Sequence, residues 1–302
     1  MKNGTKLYIG HVCVLIVILL SFPLVEFLST YFSEPVKDTH SVLAVITPTP
    51  DSDTDIFQEI NAATPLPDPE EPLEAELYVE MVNGCGAYWS GVCAGVFNAP
   101  SATSTPVTYV RNGMSLKVEK KVIDEVGNGW YKIEFDEWLR YPQRIYTDWY
   151  IQEKYAREFY DVGMRELTPA QLKKAPAPTK HIIVDKSEQK LYAYDGDILF
   201  METIVSTGTV LNPTPVGEFI LFRKTPTRYM QGPLPGIPDD IYDLPGVPWV
   251  LYFTKEGAAI HGTYWHNNFG NRTSHGCVNV PITQAGILYA WANLNTSITI
   301  QE

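Results

Sequence analysis

Positive charge is in short supply along this chain. Its 302 residues carry 23 Lys and Arg against 35 Asp and Glu, a formal net charge of −12. A nucleic-acid-binding protein needs a basic footprint, and none is present. Cysteine is scarcer still: there are four, and none forms the Cys-x2-Cys pair that structural zinc motifs use. There is no phosphate-cradling glycine loop and no internal repeat. Long apolar runs are confined to the N-terminus, where Lys2 and Lys6 precede a largely apolar stretch from Leu7 to Leu28, interrupted by His11, Ser21, Pro23 and Glu26. Its unbroken core, Val12 to Leu20, falls short of the roughly 20 residues that span a bilayer and suits a signal-peptide core equally well. No small-x-small cleavage site follows soon after, which favours a retained signal anchor over a cleaved peptide. The basic flank would stay in the cytoplasm and the rest of the chain outside. No cysteine sits in a lipobox-like context, and Cys13 within the run is read as membrane-facing.

What the chain does have is a dense cluster near its end, His261-Gly-Thr-Tyr-Trp-His266-Asn-Asn-Phe-Gly-Asn-Arg-Thr-Ser274-His275-Gly276-Cys277-Val-Asn279. A thiol at neutral pH is mostly protonated. An adjacent imidazole lowers its pKa and takes its proton, the usual route by which cysteine becomes a nucleophile. Gly276 allows a tight turn that brings amide N–H groups near the reacting carbon, where they can stabilise an oxyanion. The pattern points to acyl transfer.

Three plainer readings compete. Cys277 can be an inert buried thiol, the commonest fate of a lone cysteine. Its position among a histidine, small residues and an asparagine argues otherwise. His261, His266, His275 and Cys277 can be written as zinc ligands, but His275-x-Cys277 lacks the short paired spacing of such sites. A papain-like protease places its cysteine well before its histidine, the reverse of the order here.

The segment resembles the L,D-transpeptidases, the YkuD-type catalytic domain: a histidine followed by glycine or serine, a gap, then Ser-His-Gly-Cys-x-Asn/Arg. The resemblance extends over roughly residues 178–302 and includes Ser206-Thr207-Gly208 and Thr214-Pro-Val-Gly-Glu-Phe219. It implies a Cys277 nucleophile, His261 as general base, and the Gly262 carbonyl orienting the imidazole. His275 and Gly276, with the Cys277 amide, are the oxyanion-hole candidates. Ser274 and Asn279 are expected to fix the loop, and Tyr252 to contact substrate or fill core. His266 is read as a solvent-facing loop residue. The implied substrate is a peptidoglycan stem peptide, and carbapenems would acylate Cys277. No metal or organic cofactor is implied. The product would be a 3→3 cross-link, with an L,D-carboxypeptidase, a protein-to-wall anchoring enzyme or a catalytically weak wall-binding module as alternatives.

Upstream, Cys85-Gly-Ala-Tyr-Trp-Ser-Gly-Val-Cys93 can close a short disulfide, which an extracytoplasmic compartment permits; two free thiols or a metal pair remain open. Short alternating runs, Val107–Val110, Ser115–Glu119 and Trp130–Phe135, are separated by Arg111-Asn-Gly113 and Gly127-Asn-Gly129 turns. With Phe97-Asn-Ala-Pro100 and Asp148-Trp-Tyr-Ile151 they resemble a bacterial SH3-like barrel, although an insertion around Trp138-Leu-Arg-Tyr-Pro142 departs from the minimal pattern. Trp138, Tyr141, Tyr146 and Trp149 are either a binding face for wall components or core.

The expected fold is therefore mainly β: a YkuD-type β-sandwich catalytic domain preceded by a small SH3-like barrel and an N-terminal membrane segment. The expected divisions are 1–30 signal anchor or signal peptide, 31–76 acidic proline-rich linker, 77–155 SH3-like domain, 156–179 linker and 180–302 catalytic domain. Within the last, strands are expected at His181–Asp185, Lys190–Tyr194 and Ile198–Glu202, a loop or lid over the cleft at Met230–Trp249, and a helix at Ile282–Leu294. Thr168 is expected to cap a short helix with Pro169 in its first turn.

Overall fold

A computed structural model describes residues 73–85, 93–135, 138–234 and 241–302. The expected membrane segment and almost all of the acidic linker lie outside these. Among the described residues no helix is long and apolar enough to cross a membrane.

The first β region contains β1 (Glu76–Met81), β2 (Ala94–Val96), β3 (Thr108–Val110), β4 (Ser115–Ile123), β5 (Gly129–Glu134), β6 (Tyr150–Gln152) and β7 (Ala156–Asp161). Five of them form an antiparallel sheet in the order β6-β5-β4-β1-β7, and β2 and β3 pair separately. Asp124 shapes the β4–β5 turn by accepting from the amides of Val126 (3.1 Å) and Asn128 (2.8 Å) and from the Trp130 indole (3.0 Å). The Asn128 side-chain amide, donating at 2.8 Å, does most to hold its carboxyl down to about 2, and those donors add to it. Cys85 and Cys93 stand disulfide-paired with Cα atoms 4.4 Å apart.

The linker expected from residue 156 is in part a strand. Ala156-Arg-Glu-Phe-Tyr-Asp161 has no turn residue to stop it, and β7 pairs with β1 along its whole length. Its charges suit an edge strand: Arg157 meets Glu80, and Glu158 meets Lys121 and the Tyr131 hydroxyl.

The second region contains β8 (Arg165–Glu166), α1 (Pro169–Lys174), β9 (Lys180–Asp185), β10 (Lys190–Asp195), β11 (Ile198–Ile204), β12 (Gly217–Ile220), β13 (Arg223–Pro233), β14 (Ile241–Tyr252), β15 (Ala259–Thr263), β16 (Val278–Pro281), α2 (Ile282–Trp291) and β17 (Ser297–Gln301). Thr168 caps α1 in a reciprocal capping box with Gln171. Gly196, at φ 58°, makes the tight β10–β11 turn. Two five-stranded sheets, β11-β10-β9-β17-β12 and β16-β15-β14-β13-β8, contribute to one apolar layer. It contains Ile182, Val184 and Leu191 from the first sheet, Leu251, Ile260 and Val278 from the second, and Ala285 and Leu288 from α2.

The segment from Met230 to Trp249, expected as a loop or lid, is mostly the paired arms of β13 and β14. Proline and glycine content misleads there. Pro233, Pro245 and Pro248 lie within strands, and a register shift between Arg228 and Met230 absorbs the irregularity. Trp249, at φ 60°, interrupts the alternation of β14 and lodges its ring against Phe159 (5.0 Å) and Tyr289 (5.4 Å). The helix expected to run to Leu294 ends at Trp291. Buried Lys224 donates to the carbonyls of Tyr289 (2.7 Å) and Ala292 (2.8 Å) at its end.

The two β regions share a core. Val79, Val96, Leu116 and Ile151 belong to one apolar cluster with Val247, Val250, Tyr252 and Tyr264. Thr227 donates to the Ser115 carbonyl across the junction. Gly246, at φ 65°, would place any Cβ 2.8 Å from that same carbonyl, so the close approach requires glycine.

Candidate active site

β15 and β16 are parallel neighbours, registered Ile260 with Val278 and His261 with Asn279. Side chains alternate along a strand, so Ala259, His261, Cys277 and Asn279 share one face. Cys277, immediately before β16, therefore stands one alternate step from the residue opposite His261. That face opens into a cleft of about 710 Å³ lined by His261, His266, His275 and Cys277.

His261 is 2% exposed, and its Nδ1 lies 2.9 Å from the Gly262 carbonyl oxygen. A carbonyl only accepts, so Nδ1 carries the proton and Nε2 keeps its lone pair. Burial holds the imidazole down to about 4; the Gly262 bond opposes this and His266 adds to it. His261 is thus a neutral base at pH 7. Burial likewise pushes the Cys277 thiol up, opposed by the Ala259 amide. Burial of both groups thus works against the lowering of the thiol expected from its histidine. A buried neutral imidazole has no charge with which to stabilise a thiolate.

The loop before Cys277 is held by residues far away in sequence. Thr273 and Ser274 donate their amides to the Thr207 carbonyl at 3.0 and 3.1 Å, and Thr209 donates back to the Ser274 carbonyl at 3.0 Å. Gly208 donates to the Thr214 hydroxyl at 2.8 Å, which donates in turn to the Cys277 carbonyl at 3.3 Å. Ser274 is 4% exposed; its hydroxyl donates to the Cys277 carbonyl and accepts the Gly276 amide at 3.2 Å. Gly276 takes φ 115°, a conformation that favours glycine.

Residues 179–300 match the family model described as YkuD, L,D-transpeptidase catalytic domain. This stretch is a YkuD domain. No curated protein matches the sequence. Among solved structures, a mutant of the Enterococcus faecium L,D-transpeptidase is similar at 24% identity over 40% of this chain, with a TM-score of 0.37. The present chain spans about half, 49%, of that enzyme's length. An L,D-transpeptidase from Mycobacterium smegmatis is similar at 16% identity over 58% of this chain and 91% of its own, with a TM-score of 0.39. L,D-transpeptidase 3 from Mycobacterium tuberculosis, in complex with a faropenem-derived adduct, is similar at 15% identity over the same shares, also with a TM-score of 0.39.

The YkuD domain gathers most of the residues singled out in the sequence, but not all in the expected positions. The Gly276 amide is engaged by Ser274, whereas the amides of His275 and Cys277 bond to nothing among the described residues. The His275 side chain is exposed and stacks on Tyr242 at 5.7 Å. Tyr252 does not reach the cleft. The first β region packs over this part of the sheet, and Tyr252 lines a separate cavity of about 200 Å³ with Arg223 and Trp138.

His266, read as solvent-facing, is half-buried in the cleft. Its Nδ1 accepts the Asn268 amide at 3.1 Å, and its Nε2 lies 2.8 Å from the Asn279 side-chain amide. A neutral imidazole cannot accept at both nitrogens. Nε2 therefore carries the proton, and Asn279 presents its oxygen. Tyr242, Met230 and Leu244 also line the cleft; their segment, expected over the cleft as a loop or lid, reaches it as paired strands. Among the described residues no three His, Cys, Asp or Glu side chains are grouped to hold a metal ion.

Proposed function

We propose that this protein is a peptidoglycan L,D-transpeptidase in which Cys277 is the nucleophile and His261 the general base. One observation carries the assignment: a neutral imidazole, its Nδ1 proton committed to the Gly262 carbonyl, shares a strand face and a cleft with the thiol. As the sulfur attacks the carbonyl at the L-centre of the third stem residue, His261 Nε2 takes its proton. The tetrahedral oxyanion is met by the amides of His275 and Cys277. Collapse expels D-alanine, whose nitrogen receives the proton from His261, and leaves a Cys277 thioester. An acceptor amine then loses a proton to His261 as it attacks the thioester, and the thiol is regenerated with a new amide bond. If water attacks instead, the same steps give a carboxypeptidase.

Because thiol and imidazole both rest neutral, the proton moves as the S–C bond forms. The arrangement resembles serine-type catalysis, with a backbone carbonyl holding the imidazole in place of a carboxylate. Ser274, Thr214 and the Ser206–Gly208 segment position the loop. Asn279 fixes His266.

The first β region is proposed to be an SH3-like module that holds the enzyme on wall polymer. Its support is a small antiparallel five-stranded sheet with a separate paired hairpin. The proposed location is outside the cytoplasm, tethered by the N-terminal segment. The Cys85–Cys93 pair agrees with an oxidising compartment.

Incubation of the full-length protein with a disaccharide-tetrapeptide, followed by mass spectrometry, separates the outcomes. A dimer that has lost one D-alanine supports cross-linking. Tripeptide alone identifies a carboxypeptidase, and unchanged substrate contradicts both.

A further inference from the structure

The stretch Trp138–Tyr146, which begins with the insertion expected around Trp138–Pro142, is fastened to the hairpin that walls the Cys277 cleft. The Tyr141 amide donates to Gln231 Oε1 at 2.9 Å, and Gln231 Nε2 donates to Asp243 Oδ1 at 2.9 Å. Arg144 pairs with the other oxygen of Asp243 at 2.5 Å, and Arg228 donates to the Trp138 carbonyl. Gln231 is only 8% exposed, so this junction is built into the fold. Both arms of the hairpin, β13 through Arg228 and Gln231 and β14 through Asp243, are thus held by the first β region.

The clamp lies beside the cleft wall. Tyr242 neighbours Asp243 and registers opposite Gly232, where a Cβ would come within 2.3 Å of its hydroxyl. Its ring stacks on His275, next to Gly276 and Cys277, and lines the cleft. Burial pushes the Tyr242 phenol up, the Cys277 thiol adds to the rise, and the Arg140 guanidinium opposes it. The phenol therefore feels both groups. Arg140 rests on the face of Tyr141, whose backbone is pinned, with its guanidinium carbon 5.9 Å from the ring centroid. Unlike Arg144, held by Asp243, and Arg223, held by Glu166, Arg140 is exposed and has no acidic partner among the described residues. The described cleft lining contains Glu256 and no lysine or arginine of its own.

We infer that Arg140, carried to the rim of the cleft by the first β region, binds a carboxylate of the stem peptide. The inference rests on the transpeptidase reading above. A peptide with several free carboxylates entering a cleft without cations needs a counter-charge, and a guanidinium matches a carboxylate in two parallel hydrogen bonds. The first β region then contributes a substrate contact and is more than a tether.

Calorimetric binding to the full-length Cys277→Ala protein tests this, using a disaccharide-tetrapeptide and the same peptide with its carboxyl groups converted to carboxamides. The expected result is roughly tenfold tighter binding of the carboxylate form, in line with the strength of charge-assisted contacts. Adding Arg140→Ala should remove that preference, and Arg140→Lys should restore part of it. In the active protein, Arg140→Ala should raise KM about tenfold with kcat little changed. Cys277 alkylation should be unaltered, which shows that the cleft is intact. Equal affinity for the two peptides, or an equal loss on both with Arg140→Ala, overturns the inference. Turnover with an unchanged KM in Arg140→Ala overturns it and leaves the transpeptidase reading standing. Absence of both peptide binding and Cys277 acylation overturns both.

Discussion

Alkylation of Cys277 distinguishes a neutral resting pair from a preformed thiolate–imidazolium pair. Burial raises the thiol above its ordinary value of 9.0, and burial holds His261 down to about 4. A thiol of pKa 9 is about 1% thiolate at pH 7, and a higher pKa leaves less. An imidazole of pKa 4 is protonated in about one molecule in a thousand at that pH. The iodoacetamide rate constant should therefore climb roughly tenfold per pH unit from pH 6 to about pH 8.5, with no plateau near neutrality. His261→Ala should leave that part of the curve unmoved, because the imidazole does not stabilise the resting thiolate. It should nevertheless abolish acyl transfer to substrate. An ion pair gives the opposite pattern: a plateau already at pH 6 and, in His261→Ala, a loss on the order of 100-fold at pH 7. That plateau would refute the reasoning. Rates are followed by intact mass, with denatured protein as the reference for full exposure.

Other consequences follow from the same structure. His261 acts as a base when neutral, so the acid limb of kcat/KM should have its midpoint near pH 4, well below the ordinary histidine value of 6.5. Because the folded value is depressed, the unfolded chain binds more protons as pH falls below 6.5. Stability from this group should be complete above pH 6.5 and lost as pH falls through 4, as acid titration of urea midpoints would show. Ser274→Ala leaves the Gly276 amide without its acceptor and should cost about 1–3 kcal/mol in urea unfolding, together with turnover. An unchanged urea midpoint would contradict that role. Gly208→Ala places its Cβ 2.1 Å from the Asn212 carbonyl oxygen and 2.5 Å from the Thr214 nitrogen, both backbone. Its thermal midpoint should fall by several degrees, with activity lost. Lys224 is held down to about 8, by burial first and by Arg165 next. Relative to Lys224→Met, the wild type should gain stability as pH rises from 8 to 10.5, where the unfolded chain holds the extra proton.

The sequence discloses the chemistry better than its surroundings. The His261 and Ser274–Cys277 pattern is legible because tight turns, thiols and bases leave few residue choices. The hairpins around Gly127 and Gly196 are legible because positive φ selects glycine. The β13–β14 hairpin is hidden because prolines at irregular strand positions look like loop punctuation. Tyr252 is left open between substrate contact and core because alternation gives its face but not the domain that covers that face; it fills core. His266 is misread because its partner, Asn279, is brought to it only by the parallel pairing of β15 and β16. The thiol's protonation state is invisible for a related reason: proximity to a histidine is written in the motif, and burial is not.

The most direct test of the central assignment is the intact mass of the full-length protein after brief exposure to a disaccharide-tetrapeptide without an acceptor. The account predicts a thioester adduct equal to the substrate less D-alanine, located on the Cys277 peptide and absent from Cys277→Ala. An unmodified Cys277, with product nevertheless released and persisting in Cys277→Ala, would contradict it.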